Sequence, residues 1–334
     1  MQKLGKQTIK FDRPPTILET ACIVGPKESD GPLAKYFDKC LEDEFWGEST
    51  WEKAESKIIK ETVNTVIAKS GISSTDIDYC FAGDLLNQCI SSSFGLRETN
   101  IPFFGVFGAC STFVESMSLG SILIDGGAAN NVLCATSSHF CSAEKQFRFP
   151  LELGNQRPQT SQWTVTGSGS VILSKNGQGP FVTHITPGKI VDMGIKDANN
   201  MGAAMAPAAA DTLLTHFKDT GRNPSYYDII LTGDLGYIGK EIVNDMMLSK
   251  GYNIKSNYND CGVLIFDKES QDTHSGGSGC ACCGTVFSGY IYNKLKEKKY
   301  KRVLLVATGA LMNSTSVQQG ESIPGIAHAI SVEI

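Results

Sequence analysis

The sequence predicts an α/β protein made of two similar halves that pack as one body. A helix and strand unit occurs twice. Residues 51–69 carry an amphipathic helix pattern that leads through Gly71 and Ile77-Asp78 into a strand ending Phe81-Ala82-Gly83-Asp84-Leu85. The alanine-rich residues 201–217 lead through Gly221 and Tyr227-Asp228 into Ile229-Ile230-Leu231-Thr232-Gly233-Asp234-Leu235, and the spacing from Gly71 to Gly83 equals that from Gly221 to Gly233. A second match follows in the same order. Gly108-Ala109-Cys110 leads through an apolar helix to Val132-Leu133-Cys134-Ala135-Thr136, as Gly279-Cys280-Ala281-Cys282-Cys283-Gly284 leads to Val303-Leu304-Leu305-Val306-Ala307-Thr308. Two ordered matches predict a duplicated unit. Finally, 334 residues with 41% hydrophobic content are enough to bury a large common core.

The elements follow in order. In Pro102-Phe103-Phe104-Gly105-Val106-Phe107-Gly108-Ala109-Cys110-Ser111-Thr112 an apolar strand breaks into a helix, with Cys110 at the turn. Free N–H groups and the dipole at a helix head lower a thiol's pKa, so Cys110 is a candidate nucleophile; it is equally a candidate small contact residue. Thr112 and Glu115 are spaced as a capping box, and residues 113–124 carry a single charge, which predicts a helix buried on most sides. The turn-rich Gly177-Gln178-Gly179-Pro180 follows a strand at 170–174 and precedes one at 181–185, dividing the chain into halves 1–179 and 180–334. Residues 325–334 read as a buried closing strand.

Composition excludes several classes. Eleven cysteines without regular spacing, behind an N-terminus lacking an apolar h-region, point to a reducing compartment rather than a disulfide framework. No apolar run approaches the length of a bilayer-spanning helix, so membrane association is expected only through a partner. A net charge of −5 argues against a broad nucleic-acid surface, and the basic run 294–302 reads as the solvated end of a helix followed by a turn. Cys280, Cys282 and Cys283 lack the second ligand pair that a zinc site needs.

Of five histidines, His184, His216 and His328 fall within predicted strands or a helix and read as structural, and His274 sits in a loop. His139 follows the strand 132–136 at its carboxyl end, the edge where open α/β sheets place ligands and where the Cys110 turn also lies. Lys145 and Arg148, beside Phe147 and Phe149, either grip a ligand carboxylate or form ion pairs with Glu144 and Glu152. The pocket is expected between the halves, where Cys110, His139, the Asp234 loop and the glycine-rich turn 278–283 converge. If the halves are related by a pseudo-twofold axis, two helix heads then favour an anion there.

This pattern resembles the thiolase and ketoacyl-synthase superfamily, and Ser275-Gly276-Gly277-Ser278-Gly279-Cys280-Ala281-Cys282-Cys283-Gly284-Thr285-Val286-Phe287-Ser288-Gly289 resembles its glycine-rich segment. Glu144-Lys145-Gln146-Phe147-Arg148-Phe149-Pro150, Gln162-Trp163-Thr164-Val165-Thr166-Gly167, Met205-Ala206-Pro207-Ala208-Ala209 and Tyr226-Tyr227-Asp228 resemble, more closely, the stage V sporulation protein AD family. The resemblance implies a thiolase-like, layered α-β-α-β-α body. It also implies binding of dipicolinic acid (pyridine-2,6-dicarboxylic acid) for uptake into the spore with membrane proteins of the same system. The place implied is the cytoplasmic side of a sporulating cell or spore, peripheral at the spore inner membrane through those partners. It further implies a homodimer, pairing through the strand 132–136 or its neighbour.

The departures from the superfamily matter. Aligning the glycine-rich segment puts Cys283 where a thiolase has its catalytic histidine. Asp234 stands where the other arrangement has one, and Thr308-Gly309-Ala310 replaces the second cysteine. With these partners replaced, the expected site binds without turnover through Cys110, His139, Lys145, Arg148, Asp234, Ser278 and Cys283. No resident cofactor is expected, although calcium can accompany dipicolinate as its chelate, with Asp192, Asp197 and Asp234 the nearest acids. The alternative is an active acyltransferase with Cys110 as nucleophile.

Overall fold

The computed structural model of the chain describes residues 1–148 and 156–334; Phe149 and Glu152 lie outside them. Strands β1 (Thr16–Val24), β2 (Tyr79–Gly83), β3 (Phe103–Gly105), β4 (Asn131–Ser138) and β5 (Gly167–Ser174) pair in the order β1-β5-β4-β2-β3. Strands β6 (Phe181–Thr186), β7 (Ile229–Thr232), β8 (Tyr258–Asp260), β9 (Arg302–Ala310) and β10 (Gly325–Glu333) pair in the order β6-β10-β9-β7-β8. The two orders are the same once each set is counted from its own first strand. So are the directions: β2 is parallel to β3 and β4 as β7 is to β8 and β9, and β5 and β10 are the antiparallel returns. Phe181 of β6 pairs with Thr16 of β1, which joins both sets into one continuous sheet.

The outer helices also correspond. Thr50 caps α1 (Trp51–Ser70) and Asn200 caps α5 (Met201–Thr220), each through its side-chain oxygen. Each helix ends at a glycine in the left-handed region, Gly71 at φ 74° and Gly221 at φ 68°, the pair whose matched spacing marked the repeat. Helix α1 packs on β1 and β5, and α5 on β9 and β10. Between the two sets of strands lie α3 (Thr112–Asp125) and α7 (Cys280–Thr285), the latter running on through π turns into Tyr292–Lys296. This gives the layered α-β-α-β-α body. Phe113 of α3 and Phe287 beyond α7 meet at 5.8 Å between ring centroids in the largest core cluster. Where α7 crosses β5, a Cβ on Gly169 would stand 2.3 Å from the Gly284 backbone, so only glycine permits the approach. Among the described residues, no helix is long and apolar enough to cross a membrane.

Three local expectations are corrected. The capping box does not form: the Thr112 hydroxyl turns back into the turn, donating to the Ala109 carbonyl (2.6 Å) and accepting from Gly108 N–H (3.0 Å). Glu115 is left with a buried, unpartnered carboxylate oxygen. The strand 132–136 is not an edge, because β5 returns antiparallel on one side of it and β2 lies on the other; the edge is β3, with Phe103 and Phe104 exposed. The basic run is only partly solvated, since Lys294 is buried near Tyr36 and Tyr290 and pairs with Glu297.

Candidate functional site

The site begins with a strained turn. Ala109 takes φ 50°, a region an L-residue enters at a cost of about 1–3 kcal/mol, and Ser111 N–H and Oγ both donate to the Gly108 carbonyl. This turn aims Cys110 into a cleft at the head of α3. Directly opposite, β-paired Gly277-Ser278 and Gly279, at φ 102°, bring the head of α7 to the same point. Ser278 Oγ lies 3.9 Å from Cys110 Sγ, and Cys280 Sγ donates to the Ala109 carbonyl at 3.0 Å. The two helix heads expected to share a cleft therefore meet.

Asp234 lies beneath them, fully buried. Its carboxylate accepts from Ser278 Oγ (3.0 Å), Gly279 N–H (3.3 Å) and Thr308 Oγ1 (2.5 Å). Burial pushes its carboxyl above the ordinary range against those donors. The same burial, reinforced by the negative charge of Asp234, pushes the Cys110 thiol well above its ordinary value. That reverses the expectation of an activated thiol: at 7% exposure, desolvation outweighs the helix dipole.

The cleft is narrow, with a cavity volume of about 50 Å³, and it opens outward to solvent. Leu85, Phe107, Ala143 and Phe147 line it from one side and Met201, Ala310 and Met312 from the other, with Cys110, Thr164, Ser278, Glu144 and Arg148 as its polar groups. Arg148 comes from the end of α4 (Phe140–Phe147), and its Nη1 is 3.4 Å from Glu144 Oε1, one turn earlier. The expected partner Glu144 is thus its actual one, on the pocket wall rather than at the open surface.

The structure does not bring every expected residue to the cleft. His139 caps α4, its Nδ1 accepting from Cys141 N–H (3.2 Å) and its Nε2 facing the Glu44 carbonyl (2.8 Å), with the ring fully buried away from the pocket. Lys145 points outward to Glu52 at 2.6 Å, half exposed. Cys283 lies inside α7 in the core, where burial raises its thiol; the residue that meets Cys110 is Ser278 at the helix head. Asp192 bonds Ser322 Oγ and Gly194 N–H at the surface, and Asp197 holds Asn199 N–H, so neither lines the cleft. Asp234 forms its floor rather than its wall. The hydrophobic lining from Met201 and Met312 carried no signal in the sequence, nor did Arg157, whose guanidinium lies 4.8 Å from the Trp163 ring centre.

Glu44, His139 and Cys141 offer ligand atoms within 4.8 Å of one another. Both ring nitrogens of His139 are already engaged, so a metal there would have to displace a hydrogen bond.

Similarities to known proteins fit this geometry. Among solved structures, 3-oxoacyl-[acyl-carrier-protein] synthase III from Aquifex aeolicus superposes with a TM-score of 0.58 over 96% of this chain and 100% of its own, at 13% identity. A variant of Xanthomonas campestris OleA superposes at 0.61 over 97% and 100%, with 12% identity. These likenesses show the fold, which is thiolase-like. Stage V sporulation protein AD of Bacillus subtilis (strain 168) is 45% identical over 333 residues, covering 100% of this chain and 98% of its own. The family model for stage V sporulation protein AD matches residues 5–333, and the chain belongs to that family.

Proposed function

We propose that this sporulation protein is a non-catalytic binding protein for dipicolinic acid, held in the cleft between Cys110 and Arg148 for uptake into the developing spore. The observation that carries this reading is the company Cys110 keeps. A condensing or thiolytic enzyme needs a base near its cysteine and donors for an oxyanion. Here the nearest groups are a serine hydroxyl and a buried carboxylate that disfavours the thiolate. A flat aromatic dianion needs apolar walls and a cation, and Phe107, Phe147 and the Arg148 guanidinium supply them. Calcium can accompany the ligand as its chelate. The protein acts with membrane partners of the same uptake system at the inner spore membrane. It forms a homodimer through the edge strand β3, whose exposed Phe103 and Phe104 such pairing would cover.

Isothermal titration with dipicolinate, with and without calcium, tests the reading. Cys110→Phe is expected to abolish binding without unfolding the chain, and Arg148→Ala to weaken it by about 1.5–3 kcal/mol. A Cys110→Phe protein that binds as tightly as the parent would place the ligand elsewhere. The second reading, an acyltransferase using Cys110, draws on the retained strand-turn-helix placement of that cysteine.

A further inference from the structure

A second arginine, Arg157, stands near Arg148. Phe140, Glu144 and Arg148 follow one another at four-residue spacing along one face of α4 and its end. Phe140 stacks flat on Trp163, with ring centres 3.6 Å apart and planes 3° apart, and the Arg157 guanidinium sits over the same indole at 4.8 Å. Arg157 is therefore carried to the flank of the face that bears Glu144 and Arg148, within electrostatic reach of both and of Asp272, and it shares the indole with Lys27, whose Nζ lies 4.2 Å from the ring centre. Its Nε and Nη2 are buried and meet no acceptor among the described residues. Buried guanidinium donors without acceptors are costly and call for an explanation.

We propose that Glu144 is a built-in stand-in for the ligand: its carboxylate occupies the anion position beside Arg148, and a dicarboxylate displaces it, one carboxylate meeting Arg148 and the other Arg157. The proposal rests on the reading of the cleft as a dipicolinate site and adds to it a second anchor and a competitor. The Glu144 contact is well suited to exchange. At 3.4 Å and with one oxygen it is a loose ion pair, whereas a free carboxylate can approach a guanidinium with both oxygens. Burial also pushes the Glu144 carboxyl above the ordinary range, so its charged form is held weakly. The indole under Arg157 keeps that guanidinium in place by a cation–π contact and leaves its edge free to donate.

The test compares pyridine-2,6-dicarboxylate with pyridine-2-carboxylate by isothermal titration of the parent, Glu144→Gln, Arg157→Gln and Arg157→Lys, each checked by thermal unfolding. Glu144→Gln, which removes the competing charge, is expected to bind the dicarboxylate several-fold more tightly than the parent. Arg157→Gln is expected to lose about tenfold or more for the dicarboxylate and less than about threefold for the monocarboxylate, with Arg157→Lys in between. If Arg157→Gln weakens both ligands equally, or if Glu144→Gln weakens the dicarboxylate, the displacement is wrong while the site stands. If the parent binds neither compound, the dipicolinate reading falls and this inference with it.

Discussion

Gly83-Asp84-Leu85 and Gly233-Asp234-Leu235 stand at matching points of the duplicated unit, yet their aspartates do different work. Asp84 holds the head of the helix Ile90–Leu96 and the loop before it, accepting from Leu86 N–H (2.9 Å), Ser92 N–H (2.8 Å) and Ser92 Oγ (2.7 Å). Asp234 turns instead to Ser278 and Thr308 under Cys110. In the second half the scaffolding task has passed to Asp260, which accepts from Leu235 N–H, Gly236 N–H and Thr232 Oγ1. The leucines divide in the same way, Leu85 on the cleft wall and Leu235 in the core. A symmetric fold thus acquires one asymmetric site because the scaffold bonds of one copy were taken over by another residue, leaving its aspartate free to face the cleft.

Breaking the scaffold copy should have the largest effect. Asp84→Ala leaves three donors, two of them backbone, buried without an acceptor, and is expected to cost about 3 kcal/mol of stability in denaturant unfolding while dipicolinate affinity in the folded protein stays unchanged. Asp234→Asn should do the reverse. Removing the charge beneath Cys110 is expected to lower the thiol's pKa and raise its alkylation rate by iodoacetamide several-fold, with a smaller loss of stability. Equal stability losses in both variants, with no change in alkylation, would erase the distinction between the two aspartates.

A further contrast between the halves concerns pH. Burial depresses His216 to about 3 and His184 and His328 to about 4, from an ordinary 6.5. A group with a depressed folded pKa contributes stability that is fully present above its unfolded value and is lost as pH falls toward the folded one. All three pack around α5 and β10: His216 bonds Thr186 and Tyr227, and His328 accepts from Gly188 N–H. Between pH 6.5 and 4, hydrogen-exchange protection, referred to the intrinsic rate at each pH, should therefore be lost first in α5 and β10 and later in α1. Glu28 and Asp260, one in each half, run the other way. Burial raises Glu28 to about 8 and Asp260 to about 7, so their contributions are full below about 4.5 and 3.8 and are lost as pH climbs through those raised values. The alkaline limb should accordingly touch both halves. Protection lost equally in α1 and α5 under acid would contradict this.

The repeat was legible because glycine spacing and strand-helix alternation are local properties. The meeting of Cys110 with the Ser278 turn followed from them, and Arg148 was legible as a cation close after a predicted sheet edge. What was not legible depends on contacts between distant segments. Lys145 and Arg148 are three residues apart, but Glu52 from α1 draws one outward while Glu144 keeps the other at the cleft. His139 sits at the expected sheet edge, yet the Glu44 loop folds over it and takes its ring. Cys283 was placed by counting along the glycine-rich segment, but five residues past Ser278 the chain has entered α7 and turned into the core. A helix head predicts a dipole and so a lowered thiol pKa, whereas the desolvation that raises it at Cys110 depends on what packs above and below.

The central claim is that Cys110 is held as a thiol in a binding cleft and does not carry acyl groups. Intact-mass spectrometry after incubation with acyl-CoA donors tests it most directly, with Cys110→Ala as the reference. The account predicts no stoichiometric acyl adduct on the parent under conditions where dipicolinate binding saturates. Stoichiometric acylation that is absent in Cys110→Ala and released with turnover by a thiol acceptor would contradict it and establish the acyltransferase reading.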